Sequence, residues 1–371
     1  MKFLNFSYLL ACSSILFFSS CKNDLNINAP YKEVPTIYAV LNPQETIQMI
    51  RVNKIFLGEG NANDMAKVAD SINYQAGDLV VTLERFVNGV QSPATPTGNK
   101  QVITFRDSVI QANPGPFNTT QRVYVTSDRL YVTGQYVLKV NNVKTSKVFT
   151  AKANAIDSIK PSGFTPFCAP YYPVAPGSNP SNPDIYPDYS VQGQLYSPKF
   201  YPNEGAIYTM KLRFHFYDSL FDNSKVYRYV DYDFGNQYIK DLRTIQNFKV
   251  FAFDFKGIDL FTSLGFSLSK MGLTSNINGR KMYKMQAIAY TSTQDYVDYL
   301  QFTAPSLTIA QDKPIYSNFE DRAAMGIFTF RTRHMVTKEM ASVFISQFSF
   351  NPNTCKYHFY TSQLVAQSWC N

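Results

Sequence analysis

Carboxylates recur in close pairs along this chain, Asp231 with Asp233 and Asp295 with Asp298, and paired acids are what acid–base hydrolysis of glycosides is built from. Only their separation in space decides whether such a pair works. Asp231-Tyr232-Asp233-Phe234-Gly235-Asn236 has the opening acids of a calcium loop but lacks the third acid and the closing Glu. A strand edge running into a turn is the simpler reading. The histidines His215, His334 and His358 lie far apart with no CxxC or HExxH spacing, so neither a metal nor another cofactor is expected. The sequence contains no GxSxG elbow, Walker loop or GxGxxG turn. A non-catalytic role is therefore expected. The rival is a glycan- or peptide-directed hydrolase assembled from scattered Asp, Glu and Tyr.

Cysteine chemistry is more informative. Lys2 followed by an apolar run from Tyr8 to Ser20 is too short to span a bilayer and reads as a secretory signal over residues 1–20. The small pair Ser19-Ser20 before Cys21 resembles a bacterial lipobox, in which Cys21 becomes the lipidated first residue; an ordinary signal with an incidental cysteine is the alternative. No later stretch is long and apolar enough for a membrane helix, so attachment would rest on the lipid, followed by a polar tether over residues 21–30. Cys168, Cys355 and Cys370 would then sit in an oxidising envelope. Their odd number leaves one thiol unpaired within the chain, and Cys355 with Cys370 is the preferred disulfide; the alternative is three small buried hydrophobes.

Composition points to strands. Charged residues make up 17% of the chain, below the roughly 25% of an average protein, while 30 Phe and 26 Tyr stand against one Trp. The formal charge of +8 is spread out with no block of basic residues, which argues against nucleic acid as a partner.

Three regions follow the tether. Residues 31–158 contain strand-like pieces at Thr36–Leu41, Thr46–Phe56, Asp78–Val87, Gln101–Arg106, Arg122–Ser127 and Gly134–Val140. Turn signals at Asn42-Pro43, Asn88-Gly89 and Asn113–Pro116 punctuate them, and Met65, Val68, Ala69 and Ile72 have helical spacing. This density of short strands predicts an immunoglobulin-like β-sandwich with one small helix. Residues 159–204 hold half the chain's prolines, with Tyr171, Tyr172, Tyr186 and Tyr189 among them. That segment is a linker or, as favoured here, a loop laid over the second domain, whose four tyrosines could bind a glycan or peptide. Residues 205–371 form a β-rich domain with strands at Ile207–Tyr217, Lys225–Phe234, Asn247–Phe255, Arg280–Tyr290 and Met325–Arg331. Met210, Leu212, Phe214 and Phe216 alternate with Lys211, Arg213, His215 and Tyr217, predicting one buried and one wet face. Short helices are expected around Phe261–Leu268 and over Thr337–Gln347.

Two stretches, Ile37–Pro43 leading into Ile50–Gly58 and Pro314–Phe319 leading into Met325–Phe328, together with the lipobox, resemble a Bacteroidota family of outer-membrane lipoproteins of unknown function, often encoded beside TonB-dependent receptors. The resemblance implies an immunoglobulin-like N-terminal sandwich, a β-rich C-terminal part and a place on the outer membrane; it supplies no catalytic residues. Lys22-Asn23-Asp24 is similar to the export signal that sends such lipoproteins to the cell surface, although it has one acid where two are commoner. Asp-Ser-aliphatic tripeptides at Ser71, Ser108, Ser158 and Ser219 look like the O-glycosylation acceptor of the Bacteroidota envelope. Ordinary turn chemistry explains them equally well. The expected role is a binding or accessory module of an envelope complex, with a structural or adhesive surface protein as a further alternative.

Overall fold

A computed structural model describes residues 34–55, 67–111, 120–157, 159, 164–165, 193, 195–245, 247–272, 275–304, 316–340, 342–361 and 370. Cys21, Cys168, Ser158, Tyr171, Tyr172, Tyr186 and Tyr189 lie outside them, as do the signal and tether; the side chain of Ser71 does too.

The first unit is a sandwich of β1 (Pro35–Leu41), β2 (Gln48–Lys54), β3 (Leu79–Val87), β4 (Val90–Ser92), β5 (Val102–Gln111), β6 (Thr120–Thr126), β7 (Gln135–Asn142) and β8 (Lys147–Asn154). One layer runs β1-β2-β6-β5 and the other β3-β7-β8, with β4 on the edge of β3. Lettered in chain order, that is the ABED and CFG arrangement of an immunoglobulin-like sandwich. The sheets are joined by β5, whose Ile103 and Phe105 pair with β3 while Arg106–Gln111 pair with β6. Tyr136, second residue of β7, is fully buried. Its hydroxyl accepts the Tyr131 N–H at 2.8 Å and donates to the Ala94 carbonyl at 3.1 Å. This is the tyrosine corner of such folds, and burial pushes that hydroxyl's pKa up to about 12.

Short strands follow: β9 (Phe164–Thr165), β10 (Leu195–Tyr196) and β11 (Lys199–Phe200). Then come β12 (Ile207–Leu220), β13 (Lys225–Tyr238), β14 (Arg243–Ile245), β15 (Phe248–Ala252), β16 (Phe255–Lys256), β17 (Ile277–Ser292) and β18 (Met325–Glu339). The long strands form a sheet in the order β13-β12-β17-β18. The described ends of the Pro/Tyr-rich segment are stitched to this half: β11 pairs with β9 and β15, β10 pairs with β16, and Tyr196 stacks on Phe255 at 5.2 Å.

Helices α1 (Gly257–Met271), α2 (Gln294–Thr303) and α3 (Ser342–Phe350) complete this half. Leu260, Phe261, Leu264 and Leu268 put one apolar stripe of α1 into the core. Asp259 accepts the Lys256 N–H at the start of α1, and Gly272, at φ +67°, ends it. Phe344 of α3 stacks on both Phe214 and Phe261. The helix expected over Thr337–Gln347 begins later, at Ser342, because Thr337–Glu339 are held in the ladder with β17. Of the helix expected around Met65–Ile72, the described part is a single turn, Ala69–Ile72. Strand β8 and helix α2 were not anticipated from local pattern.

The two halves are not independent in the way the division at residues 158 and 205 implies. Met325–Phe330 of β18 run parallel to β1, and Arg331–Glu339 run antiparallel to β17. One strand is therefore shared. Phe328 and Phe330 enter the sandwich core, where Phe330 lies 5.1 Å from Tyr136 ring to ring. Gly326, at φ +111°, faces Ile37 so closely that a Cβ would overlap the Ile37 carbonyl. Gly326→Ala combines disallowed backbone geometry with overpacking and should cost about 3 kcal/mol or more, read as a shift in denaturation midpoint. A variant unfolding at the wild-type midpoint would contradict that packing.

Candidate functional site

Alternation along β12 separates two chemistries, as its sequence predicted. Met210, Leu212, Phe214 and Phe216 are buried under α1 and α3, while Lys211, Arg213, His215 and Tyr217 stand half-exposed on the other face. From β13 the same open face receives Tyr227, Tyr229, Asp231 and Asp233, which pair in register with Tyr217, His215, Arg213 and Lys211. Lys284, Gln286 and Tyr290 come from β17, and Arg331, Arg333 and Thr337 from β18.

Asp231 organises the centre. Arg213 donates to both its oxygens, at 2.8 and 2.9 Å, and Lys211 donates at 3.0 Å. Burial raises the carboxyl's pKa, but these donors outweigh it and hold Asp231 below the ordinary carboxylate range. The Arg213 guanidinium lies 3.8 Å over the Tyr229 ring. Further across, the His215 Nε2 and Gln286 Oε1 are 2.7 Å apart, and Gln286 donates onward to the Thr337 hydroxyl at 3.2 Å. Burial lowers the His215 pKa, with Lys284 and Arg213 adding to the effect.

Two bulges shape the ends of the face. On β17 the register slips between the pairs His215–Lys284 and Phe216–Met282, leaving Tyr283 as the extra residue. Its ring joins Tyr217 at 6.1 Å and Tyr227 at 6.0 Å, and the latter two are 5.9 Å apart, forming a three-ring platform with Tyr227 67% exposed. The Tyr217 hydroxyl is pushed up to about 12 by burial and by its hydrogen bond with Tyr360. On β13 the register slips between Thr209–Asn236 and Lys211–Asp233, and Gly235 takes φ +76° with its N–H donated to Asp233 at 2.8 Å. Such a bulge bends the strand and re-aims side chains. Beside it opens a cleft of about 390 Å³ lined by Thr209, Lys211, Asp233, Asn236, Tyr290 and Arg331. A smaller space of about 110 Å³ continues it towards Tyr296 and Leu300 of α2.

The acids sort accordingly. Asp231 is locked in its ion pairs, and Asp233 is the one carboxylate among the residues lining the cleft. Asp295 and Asp298 are one turn apart on α2 and line neither space; Asp295 accepts the Tyr316 hydroxyl at 3.2 Å, and burial raises its pKa. The Asp231–Asn236 stretch is a bulged strand, and no group of three or more potential metal ligands occurs among the described residues. Ser219 is buried, its hydroxyl 3.0 Å from that of Tyr360, so the folded chain does not present it as a glycosylation acceptor. Its neighbour Asp218 is fully buried and bonded to Arg280 at 2.8 Å and Arg228 at 2.6 Å. Ser108 is half-buried within β5. Cys355 and Cys370 are joined by a disulfide. The platform of Tyr217, Tyr227 and Tyr283 and the cation Arg331 were missed from sequence; alternation of large polar side chains along β13 and β18 was the available signal for Tyr227 and Arg331, while Tyr283, at a bulge of β17, had none.

The chain thus belongs, by architecture, to mostly β proteins that join an immunoglobulin-like sandwich to a long-stranded sheet, one face of which is left open by the described residues. No protein-family model matches it, and neither a curated protein nor a solved structure matches it.

Because the Asp231 pKa is depressed by folding, the ion pairs contribute fully above the ordinary carboxylate pKa of about 4. That contribution is lost as pH falls through the lower folded value. Asp231→Asn should cost roughly 1 kcal/mol at pH 7, and in urea titrations the gap to wild type should close as pH falls through the folded value. A gap independent of pH would contradict the ion-pair assignment.

Proposed function

We propose that the protein is an outer-membrane lipoprotein, anchored through Cys21 at the cell surface, that serves as a non-catalytic binding or accessory module of an envelope complex, with a TonB-dependent receptor as the candidate partner. The observation that carries the binding role is the open sheet face, where tyrosines and cations stand unburied beside a cleft. Aromatic rings with polar tips and arginine are the side chains that recur where proteins recognise partners. A hydrolase of the two-carboxylate type needs a second acid facing the first, and the cleft's lining offers Asp233 alone. The lipobox-like Ser19-Ser20-Cys21 supports the anchor, and no helix among the described residues is long and apolar enough to cross a membrane in its place. Tyr171, Tyr172, Tyr186 and Tyr189 remain candidates for an extension of the binding surface, as do Ser71, Ser108 and Ser158 for glycosylation.

Cys21→Ser should move the protein from the membrane to soluble fractions, and continued membrane retention would defeat the anchor. Purification of the native protein in mild detergent should bring a stoichiometric outer-membrane receptor with it. Turnover of glycans or peptides by the isolated protein would overturn the non-catalytic reading.

A further inference from the structure

Arg331 is a cation in the cleft wall for which no ion pair is formed among the described residues. Its guanidinium lies 4.1 Å over the Tyr290 ring and 5.8 Å from that of Tyr296. Among the described residues no carboxylate pairs with it and no acceptor takes its N–H donors. Neighbouring cations differ: Lys211 and Arg213 share Asp231, and Arg333 pairs with Glu45 at 3.2 Å. A guanidinium held against a ring keeps its N–H donors, and a planar carboxylate can meet two of them.

The rest of the lining narrows the ligand class. Thr209 and Asn236 present hydroxyl and amide groups, while Asp233 presents an acceptor that would repel a bare polyanion and suits O–H donors. Met210 and Tyr290 are the large apolar or aromatic side chains of the lining, and Thr209, Lys211, Asp233, Asn236 and Arg331 are polar or charged, a balance that suits a hydroxyl-rich ligand. The volume of about 390 Å³ is in the range of small-ligand sites, about 300–1,000 Å³. Five residues along β12 separate Lys211 at the cleft from Tyr217 at the three-ring platform, about 20 Å of strand. An oligomer can cover both.

We infer that the cleft binds an acidic saccharide, with the sugar carboxylate on the Arg331 guanidinium, ring hydroxyls on Asp233, Asn236 and Thr209, and further sugar units running towards Tyr217, Tyr227 and Tyr283. The inference rests on the binding-module reading and gives it a ligand class. The two fail separately, because receptor co-purification does not depend on a sugar and sugar binding does not depend on a receptor.

The test is titration calorimetry on the detergent-purified full chain with trigalacturonic acid, its methyl ester and acetate. The acid trisaccharide should bind, the ester should bind at least about tenfold more weakly, and acetate should give no heat at the same concentration. Arg331→Ala should weaken the acid by about tenfold or more while the melting temperature stays near wild type, since the side chain is half-exposed. Asn236→Ala, which leaves all charges in place, should also weaken the acid, and it serves if Arg331→Ala does not fold. Equal binding of ester and acid, binding of acetate as strong as that of the trisaccharide, undiminished binding by both variants, or no binding of the acid would each overturn the inference.

Discussion

The parallel pairing of β1 with the first half of β18 is the contact on which the remaining architecture depends. It joins Thr36–Leu41 to Met325–Phe330, segments from opposite ends of the described chain, and it requires Gly326 because no side chain fits against the Ile37 carbonyl. Two consequences follow from one strand. Its first half supplies Phe328 and Phe330 to the sandwich core, and its second half forms the outer strand of the long sheet beside β17. The sandwich is therefore incomplete until nearly the whole chain is in place, and closure over such a separation carries a large entropic cost that slows folding.

The same strand positions the cleft. Phe330 is the last residue paired with β1 and Arg331 the first paired with β17, so the Arg331 guanidinium stands at the seam where the strand passes from one sheet to the other. Helix α2 covers the far side of that seam with Tyr296 and Leu300. On the long sheet one face is sealed by α1, α3 and an aromatic core, leaving the polar alternation of β12 and β13 on the other. Asp231 holds that face in a fixed charge arrangement, and the bulges at Gly235 and Tyr283 break its flatness at either end. A flat, regular ladder would present neither a cleft nor a cluster of three rings.

What could be read from sequence was what local periodicity carries. The alternation from Met210 to Tyr217 identified both faces of β12, and the stripe Phe261, Leu264 and Leu268 located α1. The strands of the sandwich were visible within a few residues because turns such as Asn88-Gly89 delimit them. Pairing partners were not visible, since nothing local in Met325–Phe330 says that β1 lies beside it. The same limit explains the misplaced start of α3: Thr337–Glu339 have acceptable helical spacing, but the ladder with β17 decides their conformation. Bulges likewise depend on register between strands, so the cleft at Gly235 and the exposure of Tyr283 had no sequence signature. Asp231 and Asp233 were noticed as acids, while their role as partners to Arg213, Lys211 and a backbone amide emerged only from pairing.

The shared strand should make the two halves one cooperative unit. Differential scanning calorimetry of the full chain tests it most directly, because a two-state transition requires the calorimetric enthalpy to equal the van't Hoff enthalpy. The shared strand predicts a single transition with a ratio near one. Two resolved transitions, or a ratio near two, would show the sandwich and the long sheet unfolding independently and would contradict it.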